Sequence, residues 1–183
     1  KDDAKSKEKR EKFLEHAQRL LELAGEDPAS AKAGAATVLR VETALANASL
    51  DRVAMRDPKN RDNPMSLAEL KQLTPAFEWD AYLAATGAPA FERLNVASKP
   101  YFEGTSVLLQ ATPIGDWKSY LRWHAAREAA PFLSAAFVKE NYRFYREYLQ
   151  GAKEMEPRWK RCVQATDRGL GDALGQIYVE KTF

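Results

Sequence analysis

Along almost the whole of this chain apolar residues return every three or four positions, and run after run is closed by glycine or proline. That spacing lays an apolar stripe along one side of a 3.6-residue helix and leaves the other side polar, so the chain is committed to helices that must pack on one another. In REKFLEHAQRLLELAGE the stripe is Phe13, Leu14, Ala17, Leu20, Leu21 and Ala24, and Gly25 stands where a left-handed residue ends a helix. In DPASAKAGAATVLRVETALANASL, Asp27 is placed to cap, Pro28 suits the first helical position, and Ala35, Val38, Leu39 and Leu45 form the inward stripe. The many alanines of this second segment call for close approach to a neighbour.

RDPKNRDNP reads as a loop, because prolines, asparagines and charges interrupt the pattern. MSLAEL then supplies a complete helix start: Ser66 as N-cap, Glu69 closing a capping box, and Met65 facing Leu70 as a hydrophobic staple, for a short helix to about Leu73. Thr74 with Pro75 reads as a further start, with Phe77, Trp79, Tyr82 and Leu83 as its packing surface and Gly87 and Pro89 as its end. RLNVAS is the one plausible strand. Helical spacing resumes at Lys99, and Thr112 and Pro113 restart it into DWKSYLRWHAAREAA. There Trp117, Tyr120, Leu121, His124 and Glu128 define an expected aromatic face. Pro131 breaks or kinks that helix, and Phe137, Val138, Tyr142, Tyr145, Tyr148 and Leu149 continue the pattern up to Gly151. No fixed period repeats. The expectation is an all-α fold, an irregular multi-helix bundle, as a single helical domain over residues 1–183 with an internal loop at 51–65.

A chain of 183 residues with 45% hydrophobic and 30% charged residues is long enough to bury a core. Its net charge of +2 produces no field that would draw it to nucleic acid or an anionic membrane. No run reaches the ~18 apolar residues of a membrane span, and the charged opening KDDAKSKEKREK has no apolar signal core. The chain begins at Lys1 and ends in PRWKRCVQATDRGLGDALGQIYVEKTF, still at helical spacing, as a processed protein or an excised segment would. Cys162 is the lone cysteine and is expected to be a small buried hydrophobe.

The chemistry-bearing residues are few. His16 and His124 are the only histidines, and each is followed by alanine, so neither opens an HExxH helix that would set two imidazoles around zinc. His16, on a highly charged helix, is expected at the solvent boundary, and His124, among aromatics, is expected to be packed and hydrogen-bonded. A glycine-rich phosphate loop and a GxSxG elbow are absent from the sequence. No catalytic, cofactor-binding or metal residue is therefore assigned. Arg158 to Arg161, RWKR, reads as a solvated helix face rather than a phosphate contact, and Gly171 with Gly175 as a site of close helix packing. Asn47-Ala48-Ser49 matches a glycosylation acceptor but falls at an expected helix end. On these residues alone a free-standing helical module that binds a partner through exposed Trp and Tyr remains open.

Ordered blocks add a second kind of information. VETALANASL, RDPKNRDNPMSLAELKQL, PYF, DWKSYLRWHAAREAAPFLSAAFVKENYRFY and the closing PRWKRCVQATDRGLGDALGQIYVEKTF together resemble the neprilysin-like zinc metallopeptidases across essentially the whole chain. Asp62 departs from that pattern, which has an aromatic residue there. The resemblance implies a two-lobed enzyme, with this chain in the non-catalytic cap lobe that helps enclose the cavity and limits substrates to oligopeptides. It further implies zinc held by an HExxH helix outside these residues, a catalytic lobe of the same parent chain as partner, and an extracytoplasmic location. Cys162 falls where some relatives form a disulfide.

Overall fold

The computed structural model describes residues 3–183, and its fold begins with two helices joined by a tight turn. α1 (Ala4–Leu23) is capped by Asp3, whose carboxylate accepts from the Ser6 N–H at 2.8 Å, and α2 (Pro28–Ala48) by Asp27, which accepts from the N–H groups of Ala29 and Ser30. Between them Gly25 takes φ 97°, a left-handed conformation that costs a residue with a Cβ, and its N–H returns to the Glu22 carbonyl. The turn folds α1 back along α2. Ala17, Leu20 and Leu21 then meet Ala31, Ala35, Val38 and Val41, all buried. Leu39 and Leu45, expected in that stripe, are half-buried, and Ala31, Gly34 and Val41 take the inner line instead. The close approach the alanines called for is real: a Cβ on Gly34 would lie 2.8 Å from Leu21 Cδ1.

α5 (Lys99–Ala111) and α6 (Ile114–Ala129) close this core with Leu108, Tyr120 and Trp123. Gly104 on α5 lies against Ala48 so tightly that a methyl group there would collide with the Ala48 side chain. The expected face of α6 needs correcting. Leu121 is 61% exposed, whereas Trp123 is 2% exposed. The buried line runs through Tyr120, Trp123 and Ala126, which is again a spacing of three, displaced from the line through Leu121 and Glu128.

A second, smaller cluster gathers Met65, Leu70 and Val96. β1 (Pro64–Met65) pairs antiparallel with β2 (Leu94–Asn95), placing Met65 opposite Leu94, so RLNVAS does supply a strand, two residues long. Ahead of β1 the loop holds two 3₁₀ turns, Ala54–Arg56 and Pro58–Asn60, the second capped by Asp57. α3 (Leu67–Leu73) starts with the expected capping box, and Met65 and Leu70 are buried together as its staple. α4 (Trp79–Thr86) begins later than Thr74 and Pro75 suggested. Thr74 instead ends α3, its hydroxyl donating to the Leu70 carbonyl at 2.7 Å, and the chain turns through Pro75 to Phe77 before a helix resumes.

The capping box carries a pH signature. The Ser66 N–H and hydroxyl both donate to Glu69, at 2.7 and 2.9 Å, and hold its carboxyl below its ordinary value of 4.5. A depressed folded-state value means stability that is present above the unfolded pKa and lost as pH falls through the lower folded value. Titration of the Glu69 carboxyl by carbon-13 NMR should therefore give a midpoint below 4.5. A midpoint at or above it would show that the box does not persist in solution.

After α6 the chain passes Pro131 in a 3₁₀ turn (Ala130–Phe132) and enters α7 (Ala135–Asn141). Backbone contacts divide the described residues at this point, one unit ending at Glu140 and the other spanning Asn141–Phe183. The second unit opens with a π-helical segment, Tyr142–Tyr148, in which Phe144 and Tyr148 stack at 6.1 Å. The Tyr142 hydroxyl donates to the Ala152 carbonyl beyond Gly151, which ends the segment with φ 72°. α8 (Arg158–Thr182) follows, interrupted at Leu170 by non-helical φ −127° and ψ 19°.

Candidate functional site

His16 lies on the inner side of α1 beside Ala17 and Leu20, and it is 0% exposed. The expectation of a solvent-boundary position is overturned because a partner arrives from far along the chain. Glu140, at the end of α7 and itself buried, sets Oε1 2.9 Å from His16 Nδ1, and Arg19 Nη1 is 3.6 Å from its other oxygen. His124 is packed and bonded as expected. Its Nε2 is 3.2 Å from Glu42 Oε1, which also accepts from the Tyr120 hydroxyl at 3.1 Å, and its ring stands edge-on to Tyr120 and Trp123. Burial, then the neighbouring Glu42 charge, pushes the Tyr120 phenol far above its ordinary value, so it remains a proton donor to Glu42.

These two clusters offer the described residues' only imidazoles, and each brings one carboxylate with it. Among the described residues no three His, Cys, Asp or Glu side chains converge as a metal would require. The donor set of the described residues does not fit a zinc ion.

Between the turn after α3 and α5 is an aromatic cleft of about 80 Å³, walled by Phe77, Trp79, Tyr101, Phe102 and Leu109. Trp79 Nε1 donates to the Thr74 hydroxyl at 2.7 Å, and the Ala76 N–H donates to the Ser106 hydroxyl at 3.1 Å, which together fix the turn against the helix. Phe77 and Trp79 were legible as aromatics, but nothing local linked them to Tyr101 and Phe102.

α8 differs from the other long helices in burying none of its side chains. Cys162 is exposed, correcting the expectation of a buried thiol. The close packing expected at Gly171 and Gly175 is not found either, since a Cβ on either would meet nothing within 4 Å. The basic cluster is engaged locally: Lys160 pairs with Glu156 at 2.7 Å, holding that carboxyl below its usual range, and Arg161 donates to the Glu156 carbonyl. Among the apolar side chains α8 leaves exposed are Trp159, Val163, Leu174, Ile177 and Tyr178, with Phe183 exposed just beyond its end.

Comparison with known proteins shows the family to which this fold belongs. Endothelin-converting enzyme 1 of Rattus norvegicus is 32% identical over 165 residues, covering 88% of this chain but 22% of the relative. Neprilysin-21 of Caenorhabditis elegans is 28% identical over 170 residues, covering 87% of this chain and 22% of the relative. The chain thus spans about a fifth of the length of these relatives. Among solved structures, the zinc metalloprotease Zmp1 of Mycobacterium tuberculosis, in its open state, superposes on all of this chain with a TM-score of 0.93 at 30% identity, over 29% of its own length. PepO from Lactobacillus rhamnosis shares the fold, with a TM-score of 0.81 at 18% identity. The family model described as Peptidase family M13, in its N-terminal part, matches residues 1–183. The chain therefore belongs to peptidase family M13, and its all-α fold is that of the family's helical N-terminal lobe.

Proposed function

We propose that residues 1–183 act as one non-catalytic cap lobe of a zinc metalloendopeptidase, enclosing the cavity in which peptides are cut and restricting entry to oligopeptides. The metal and the residues that activate water are supplied by a catalytic lobe of the same polypeptide, outside this sequence. Family membership supports the peptidase reading, and a chain covering 22% of its relatives leaves ample sequence to provide that lobe. The observation that carries the cap role is α8, a helix of 25 residues that buries nothing and presents apolar side chains outward. Monomeric soluble proteins rarely leave such a surface unoccupied. The relatives' resemblance supports an extracytoplasmic parent enzyme as part of this reading; among the described residues no helix is long and apolar enough to cross a membrane.

The test compares the 183-residue chain with a longer polypeptide that continues through an HExxH motif. The short chain should bind an apolar dye strongly and show neither zinc binding nor peptide hydrolysis. The longer one should bind less dye and cleave short peptides in a zinc-dependent manner while sparing folded proteins. Hydrolysis by the short chain, or equal cleavage of folded proteins by the long one, would overturn the cap assignment.

A further inference from the structure

We propose that the aromatic cleft beside α5 is a subsite for one branched aliphatic side chain, of the size of Val or Leu, presented by a peptide. The peptide as source rests on the peptidase reading above, while the aliphatic preference rests on the cleft alone.

Size comes first. The cleft measures about 80 Å³, roughly half the ~150 Å³ of an apolar cavity that accommodates benzene. An isopropyl or isobutyl group fits it; an indole does not. Polarity comes second. Three donors of the wall are already bonded within the protein, Trp79 to Thr74, Thr74 to the Leu70 carbonyl and Thr105 to the Tyr101 carbonyl, and Ser106 accepts from Ala76. A charged or amide-bearing group entering here would give up water and meet donors already engaged and aromatic walls, which is costly, whereas an aliphatic group gives up nothing. Water in such a cleft is held poorly and is displaced at a gain.

The cleft is also held in shape before any ligand arrives. Phe77 packs on Trp79 with ring centroids 4.5 Å apart, and Trp79 stacks on Phe102 at 6.2 Å, so the walls need no reordering. Phe77 and Tyr101 are both half-buried, which leaves a side of the cleft open to solvent. A side chain can enter there while the backbone carrying it stays outside.

The experiment uses the intact polypeptide with nitrogen-15 labelled indoles, the Trp79 resonance being assigned through Trp79→Phe. N-acetyl-leucinamide should shift the Trp79 indole signal saturably, and N-acetyl-glycinamide and N-acetyl-aspartamide should bind at least tenfold more weakly. Thr105→Leu, which fills the cleft and removes a hydroxyl bonded only to its own helix, should weaken leucinamide binding at least tenfold. An unchanged Trp123 indole signal would confirm that the variant folds, and Leu109→Phe serves as a second filling variant. No saturable shift, equal binding of the glycine compound, or undiminished binding in both filling variants would overturn the proposal. Hydrolysis assayed on the same sample separates the two readings. A polypeptide that cleaves peptides without binding leucinamide sinks the subsite alone, and one that binds leucinamide without cleaving peptides sinks the peptide as its source.

Discussion

Trp123→Ala is expected to destabilise this fold by about 3–5 kcal/mol, the usual range for deleting a large buried aromatic. Trp123 is 2% exposed and sits where α1 meets α6. Phe13 meets its ring edge-on at 5.4 Å, His124 packs at 4.7 Å, and the Arg127 guanidinium lies 5.5 Å above it. Alanine would remove all three contacts and leave a void that neighbouring helices cannot collapse into without moving. For a chain of this size the loss corresponds to a fall in melting temperature of roughly 10 °C, measurable by circular dichroism. Trp123→Phe keeps an aromatic edge for Phe13 and should lose less than half as much. If alanine costs under about 1 kcal/mol, Trp123 does not hold α6 on the core.

Glu140→Ala should produce the second large loss, about 3 kcal/mol or more, for an electrostatic reason. Its carboxylate meets His16 at 2.9 Å where the imidazole is wholly buried, and approaches Arg19 at 3.6 Å. Removing it strips a buried polar ring of a partner that stands 124 positions further along the sequence. Glu140→Gln retains an oxygen and should cost less. Replacing both partners with apolar residues of similar volume, His16→Leu with Glu140→Met, should recover much of the stability lost by Glu140→Ala. Urea unfolding of the four proteins decides the matter. A double variant as unstable as Glu140→Ala would mean that shape rather than charge dominates at this position.

The parts of this fold that were legible in the sequence are those decided within a few residues. Asp27-Pro28 and Ser66 with Glu69 cap helices through their own neighbours, Gly25 and Gly151 end segments by accepting positive φ, and Met65 reaches Leu70 within one turn. What escaped depended on distant chain. His16 looked solvated because α1 is densely charged, and its buried partner Glu140 lies far along the chain. Leu121 and Trp123 are both compatible with helical spacing, and the choice between them belongs to α1, which supplies Phe13 to the second. Thr74 and Pro75 carry the residue types of a helix start, yet the Thr74 hydroxyl is taken by the helix it ends. The π-helical segment left no pattern distinct from the α-helical one. Cys162 and Gly171 followed the habits of buried residues on a helix that has no interior to enter. The cleft joins residues from Thr74 to Leu109, and its apolar character comes from aromatic walls drawn from separate elements, with the Thr74 and Thr105 hydroxyls turned to backbone carbonyls, which spacing alone does not reveal.

The bare flank of α8 bears on how sequences like this one drift. Leu174, Ile177 and Tyr178 are exposed, so loss of burial does not penalise a change there to lysine or glutamine. Should relatives nevertheless hold these three positions apolar, the selective pressure would have to be exerted from beyond the lobe, and the pattern of tolerated replacements would trace the outline of whatever rests against it.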